Sequence, residues 1–387
     1  MVQQKLKVLF LSAWYPTRVK PTNGNFVEKH AEAAALYANV DVLHVCFDST
    51  MTAKSEYVFS ENNGLRTHII YLKKSGKLIP FISFLVKSIK ILNAYRQGFD
   101  KIYPEKDPDI IHGNILIPCS LIAFYFKLFK RIPFIITEHW TGYLPQDPNK
   151  PGKSLFLYRY FAKKASCLAP VTHNLAKAMQ SFGIKGNYSV VPNVVDTDIF
   201  REKDKKIDDS FHLLHVSSLL DVQKNFSGIL FALEQLVKSR DDLVLEVISD
   251  GDMEQYQKKI ERLGLSEYII FHGRKTTEEV AAIMKYCDLL LLFSNYENFP
   301  CVIAEAWSCG LPVLSTRIGG IEEYLNEENG MLTEPNNIEA LHEALEKMMS
   351  SIDLYDSKNI RTFALDHFSY NIIGSQFETI YKTALKR

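Results

Sequence analysis

The chain has 387 residues, 47% hydrophobic and 23% charged, with Lys+Arg and Asp+Glu equal at 45 each; single cores stop growing near roughly 250–300 residues, so two domains are expected and long disorder is excluded. Residues 1–200 hold 25 Lys+Arg against 14 Asp+Glu and residues 201–387 hold 20 against 31, so a basic half (+11) precedes an acidic half (−11), which suits either separate tasks or an uneven solvated surface. Six scattered cysteines without C-x-x-C or His/Cys zinc spacing read as reduced cytosolic thiols, and an N-terminal apolar run that ends at Pro16 predicts neither an export signal nor a membrane-spanning helix.

Short apolar runs alternate with segments of helical period, the pattern of a doubly wound α/β chain. KVLFLSA (7–13) reads as a strand, and Asn25 with Glu28 reads as an N-cap and capping partner opening a helix over 26–38. VDVLHVCF, PDIIHGN and PFIITEH supply further strands. Residues 73–101 hold seven basic residues and one acidic among LIPFISFLVKSIKILNAY, and KSLFLYRYFAKK (153–164) is similar; such helices present a solvated basic face or rest on an anionic membrane. VVPNVVDTDIFREKDKKIDDS (190–210) ends without hydrophobic period and is the expected linker.

The pattern then restarts with FHLLHVSSL (211–219), a helix over 226–238, LVLEVISD (243–250), a helix over 253–264, YIIFHG, a helix over 277–286 and DLLLLFS (288–294). The closing segment 368–387 is amphipathic and is expected to cross back onto the first unit. Domains over 1–198, joined by that returning helix, and over 199–367 follow. Neither half carries G-x-G-x-x-G or a P-loop. Ligands of open α/β sheets sit beyond the carboxyl ends of the strands, so a cleft lined by strand-end loops is the default site.

One segment concentrates the chemistry: SNYENFPCVIAEAWSCGLPVLST (294–316) reads as buried core yet holds Glu297 and Glu305, and a buried carboxylate is costly unless paired. Pro300 suits the first turn of a helix through CVIAEAWSC, Asn298 suits its cap, and Gly310 with Pro312 stops it. Glu297 then lies in the cleft loop and Glu305 about two turns along. A helix start suits a diphosphate and a carboxylate suits sugar hydroxyls. A cap residue and a solvated helix carboxylate are the alternative.

E-N-F-P-C-V-I-A-E-A-W-S-C-G-L-P-V resembles the donor-binding signature of the retaining glycosyltransferases of family 4, which have the GT-B fold: two Rossmann-like domains facing each other across a cleft. VVPNVVDTDIF (190–200), SDGDM (249–253) and IGGIEEYL (318–325) resemble further motifs of that family, so the resemblance runs across nearly the whole chain. It implies that Glu297 meets the donor sugar, Glu305 the nucleotide ribose, and the amides of Phe299, Cys301 and Val302 the diphosphate, with Asn298 between them. The family's arginine and lysine that grip the diphosphate correspond to Ser218 and Lys224, so one bidentate phosphate contact is lost here.

In ITEHWTGY (136–143) the resemblance gives His139 the catalytic-site role. His112, at another strand end, and Asn25 border the expected acceptor pocket, although a structural role for His112 stays open. Gly24 in NGN (23–25) stands where the family's glycine-rich loop approaches phosphate, and a tight turn without such contact is an equal alternative. DTD (196–198) and DGD (250–252) read as decoys, not metal motifs.

The implied activity is metal-independent, cofactor-free transfer of a hexosyl or N-acetylhexosaminyl group, with retention, from a nucleotide-diphosphate sugar to a hydroxyl of a glycan or lipid-linked acceptor. The implied setting is bacterial surface polysaccharide biosynthesis, in the cytoplasm or peripherally on the inner face of its membrane, with no nucleic-acid partner. A same-fold epimerase or phosphorylase, or a weakly catalytic nucleotide-sugar-binding subunit, are the alternatives.

Overall fold

A computed structural model describes residues 5–74, 80–202 and 208–386. Its first part runs β1 (Lys7–Ser12), α1 (Asn25–Ala35), β2 (Asn39–Asp48), β3 (Ser55–Asn62), β4 (Leu65–Lys73), α2 (Pro80–Ile102), β5 (Ile110–Asn114), α3 (Leu116–Lys130), β6 (Phe134–Glu138), α4 (Leu155–Ala162), β7 (Cys167–Pro170) and α5 (His173–Ser181). These strands form one sheet in the order β3-β4-β2-β1-β5-β6-β7, in which only β3 runs antiparallel. The core strands are continuous apolar runs because helices cover both faces. On one face α2, α3, α4 and α5 pack over Leu9, Leu11, Ile111 and Ile136. On the other, α1 packs over Val8, Phe10 and Ile135.

The second part runs β8 (Phe211–Val216), α6 (Asp221–Lys224), α7 (Phe226–Leu236), β9 (Leu243–Ile248), α8 (Glu254–Arg262), β10 (Ile269–Gly273), α9 (Thr277–Met284), β11 (Leu289–Leu292), α10 (Cys301–Ser308), β12 (Val313–Thr316), β13 (Gly330–Thr333), α11 (Ile338–Ser350), α12 (Ser357–Phe368) and α13 (Tyr370–Leu385). Its sheet, β10-β9-β8-β11-β12-β13, is parallel throughout. The last helix, α13, leaves this unit and buries Ile373, Phe377, Ile380 and Tyr381 against α1 in the core of the first. Gly374 permits that approach, since a Cβ there would lie 2.2 Å from the Ala33 carbonyl oxygen.

Two capping expectations are corrected. Asn25 lies inside α1, its Oδ1 taking the Phe26 amide, and Gly24 occupies the cap with φ +76°, so no box forms with Glu28. A Cβ at Gly24 would sit 2.3 Å from the Trp14 carbonyl oxygen, so this glycine is fixed by a close approach of the chain to itself. Pro300 precedes α10 with an extended ψ of 128°, and Asn298 does not cap that helix. Residues 75–79 of the first basic stretch and 203–207 of the linker lie outside the described residues. Among the described residues no helix is long and apolar enough to cross a membrane.

Candidate active site

The two sheets meet along the loops that leave β6 and β11. Glu138, at the end of β6, is fully buried, and its carboxylate takes the amides of Leu116, His139 and Trp140 at 2.9–3.0 Å and the Tyr143 hydroxyl at 3.3 Å. These bonds fix the loop that carries His139. The His139 ring lies 4.6 Å from Phe26 and 5.2 Å from His30, centroid to centroid. Burial, then the imidazoles of His30 and His112, hold its pKa well below the ordinary value, with Asn193 offsetting part of this; the ring is neutral at neutral pH.

From the other side, the loop after β11 brings Glu297 and Asn298. Glu297 is buried and ion-paired with Lys224 at the end of α6. Asn298 donates from Nδ2 to the His139 carbonyl at 2.5 Å, so the two strand-end loops are bonded directly. Asn193, in the segment joining the units, likewise donates to the Phe299 carbonyl at 3.0 Å. Gly319 and Gly320 close against this loop: a Cβ would lie 1.9 Å from the Glu297 carbonyl oxygen at the first and 2.1 Å from Thr172 Cγ2 at the second. Glu323 then reaches the first unit, accepting from the amides of His173 at 2.8 Å and Asn174 at 2.6 Å.

Among the described residues, four buried polar atoms along this seam meet no hydrogen-bond partner of good geometry: His139 Nε2, Asn298 Oδ1, Asn193 Oδ1 and His30 Nδ1, although the Asn193 side chain lies near enough to His139 to raise its pKa. Leaving such an atom unpaired costs about 1–3 kcal/mol, so the concentration marks a place where bonds are made to something else. The first amides of α10, at Cys301 and Val302, have no intrahelical acceptors, as at any helix start, and no side chain caps them. The Phe299 side chain is stacked on Phe368 and buried beside Trp307. Burial, then Glu305, pushes the Cys301 thiol up to about 12, which leaves it protonated and un-nucleophilic.

Glu305, in the second turn of α10, is ion-paired at 3.0 Å with Lys29 of α1. Burial pulls the Lys29 ammonium down, and the charge and hydrogen bond of Glu305 more than offset it, so the cation persists. Ser218 is exposed in the loop after β8, where its carbonyl oxygen would lie 2.0 Å from a Cβ at Gly251. The two acidic triplets act as turns: Asp196 accepts the amides of Asp198 and Ile199, and Asp252 that of Glu254.

His112 is fully buried within β5, bonded to the Tyr381 hydroxyl at 2.8 Å and Thr137 Oγ1 at 2.6 Å and packed by Phe10 and Phe377, which fits the structural role its sequence left open. Asn193, Lys29 and His30 were not singled out in the sequence. Asn193 stands in the recognisable VVPN stretch; Lys29 carries no local signal, because its partner lies 276 residues away.

The model of the glycosyl transferases group 1 matches residues 196–360, and that of glycosyltransferase family 4 matches residues 27–199. N-acetyl-alpha-D-glucosaminyl L-malate synthase of Bacillus anthracis is 26% identical over 72% of this chain and 75% of its own length. A putative teichuronic acid biosynthesis glycosyltransferase of Bacillus subtilis is 22% identical over 98% of this chain and 100% of its own. In fold, the chain is similar to sucrose-phosphate synthase of Thermosynechococcus elongatus (TM-score 0.77, 18% identity, 98% of each chain) and to Anabaena HepE in complex with UDP (TM-score 0.72, 19% identity, 97% and 99%). Two parallel-sheet units joined at strand-end loops, with both family models matched in succession, make this chain a glycosyltransferase that belongs to the group 1 family of GT-B fold.

Proposed function

We propose that this glycosyltransferase moves a sugar, with retention at its anomeric carbon, from a nucleoside-diphosphate donor to a hydroxyl of a glycan or lipid-linked acceptor in bacterial surface polysaccharide synthesis, on the cytoplasmic side of the membrane. Residues 199–367 hold the donor, and residues 1–198 with the returning α13 hold the acceptor. The observation that carries this reading is the Glu297–Lys224 pair at the start of α10, bonded through Asn298 to the loop of His139. A hexose offers hydroxyls to Glu297, and the diphosphate takes Lys224 and the amides of Cys301 and Val302.

The bond from the anomeric carbon to the β-phosphate oxygen breaks as the acceptor oxygen bonds to that carbon on the same face. The acceptor proton passes to the departing phosphate. His139, neutral and without a partner of good geometry at Nε2 among the described residues, bonds the reacting sugar. Glu305 takes the ribose hydroxyls once Lys29 yields it. Lys224 and the helix start meet the leaving charge, so no resident metal is required. The relatives named for teichuronic acid and N-acetylglucosaminyl malate synthesis support the reaction class.

Glu297→Ala and Lys224→Ala are each expected to lower nucleotide release and glycoside formation at least about tenfold, or about 1.4 kcal/mol of transition-state stabilisation, with the circular dichroism spectrum kept. Full activity in both variants would remove the assignment. Excess chelator is expected to leave turnover unchanged; strict dependence on added Mn²⁺ or Mg²⁺ would refute the metal-free route.

A further inference from the structure

We infer that the outer surface of α3 and α4 docks on an anionic lipid bilayer. The inner face of α3 is ordinary core, with Leu116, Cys119, Ile122, Ala123 and Phe126 buried. Its outer face is apolar too, with Leu128 63% and Phe129 66% exposed beyond Leu121 at 38%. Leu121 and Leu128 are seven apart, about two helical turns, with the half-buried Phe124 and Tyr125 between them, so they share one stripe that Phe129 flanks. A helix with apolar residues on its outer face as well as its inner one suits a second apolar neighbour.

The stripe continues onto α4, where Phe156 is 66% and Tyr160 48% exposed; the Tyr160 ring meets Phe124 of α3 edge-on at 6.0 Å. Phe129 and Phe156 are thus held on two packed helices and directed outward. No Asp or Glu lies in residues 116–131 or 148–164, while Lys127, Lys130, Arg131, Arg159, Lys163 and Lys164 do. Lys164 lies 5.2 Å over the Tyr160 ring, and Arg96 of α2 lies 5.8 Å from the Tyr125 ring of α3, so cations rim the aromatics. Lys130 also meets Asp107 at 3.3 Å, an exposed pair that solvent screens.

Rings at headgroup depth within a cationic rim match an anionic interface, which requires opposite charge and no complementary shape. Attachment is at the surface, since no described helix spans a membrane. The helix that carries the face starts at the cleft: the Leu116 amide that opens α3 is bound by Glu138, the carboxylate that fixes the His139 loop. An acceptor with its lipid tail in the bilayer would present its glycan there, and this functional consequence rests on the proposed lipid-linked acceptor.

The test is flotation of the full chain, without donor or acceptor, with vesicles of phosphatidylcholine alone or with about 30% phosphatidylglycerol. At least about tenfold tighter binding to the anionic vesicles is expected, falling several-fold between about 0.1 M and about 0.5 M salt. Phe129→Ser with Phe156→Ser, both at exposed positions, is expected to lower that binding about tenfold with an unchanged thermal melt. Phe156→Trp is expected to blue-shift its emission on the anionic vesicles. Equal, weak binding to both vesicles, or full binding by the double serine variant, would overturn the proposal. A dimer abolished by that variant, without vesicle binding, would give the face to a second copy of the chain. Because neither substrate is present, failed docking leaves the transferase assignment standing, and lost transfer in the Glu297 variant leaves docking standing.

Discussion

His112 lies in β5 and His139 in the loop just after the neighbouring β6, and they differ in what their ring nitrogens meet. Both nitrogens of His112 are bonded, to Tyr381 and Thr137, whereas Nε2 of His139 is buried without a partner of good geometry among the described residues. His112→Ala is therefore expected to cost about 2–4 kcal/mol in urea unfolding, through the cavity and the two abandoned hydroxyls, with kcat/KM of the folded enzyme held within about twofold. For His139→Ala the expectation reverses: activity falls at least about tenfold, while stability moves by less than about 1 kcal/mol. A raised acceptor KM in the His112 variant at full stability would overturn its core assignment. In sequence the two looked alike, each a histidine at a strand end, and only the packing of α13 separates them.

At the scale of elements, α13 decides whether the first unit is complete. Ile373, Phe377, Ile380 and Tyr381 are buried there, each contributing about 1.5–3 kcal/mol, together on the order of the 5–15 kcal/mol that keeps a domain folded. Deleting residues 370–387 is expected to expose the first unit to limited proteolysis at room temperature while a fragment containing β8 to β13 resists. Equal resistance of both units would show that α1 needs no such cover. The amphipathic period of this segment was readable, as were most strands of both sheets. The antiparallel pair β3–β4 was missed although its signal was present, since Asn63-Gly64 at the turn has φ of +50° and +79°. The polar period of β3, exposed along most of its length at the sheet edge, resembles loop composition.

For the whole molecule, the seam between the units is where sequence reading ends. The segment from Glu297 to Glu305 was legible because its residues are contiguous, and its match to a family signature carried their roles. The bonds from Asn298 to His139, Asn193 to Phe299 and Lys29 to Glu305 join residues more than a hundred positions apart, and no local period encodes them. Buried histidines also set how the molecule as a whole responds to acid. Burial lowers His30 and His215 to about 4 and lowers His44, His112 and His139 as well, so the folded chain stays neutral there while the unfolded chain takes up protons near pH 6.5. The unfolded state then binds more protons, and stability falls as pH drops below about 6.5, by on the order of 1–2 kcal/mol for each of His30 and His215 at about pH 5. Urea midpoints at about pH 7.5 and pH 5 test this, and equal midpoints would refute it.

The bond between His112 and Tyr381 also sets a clock during synthesis. The two residues are 269 positions apart, and chains grow at about 5–20 residues per second, so roughly 15–50 s separate their appearance. Through that interval β5 and α1 stand outside the ribosome with an apolar face uncovered, and the whole second unit has time to fold first. The unit made first is therefore the one finished last.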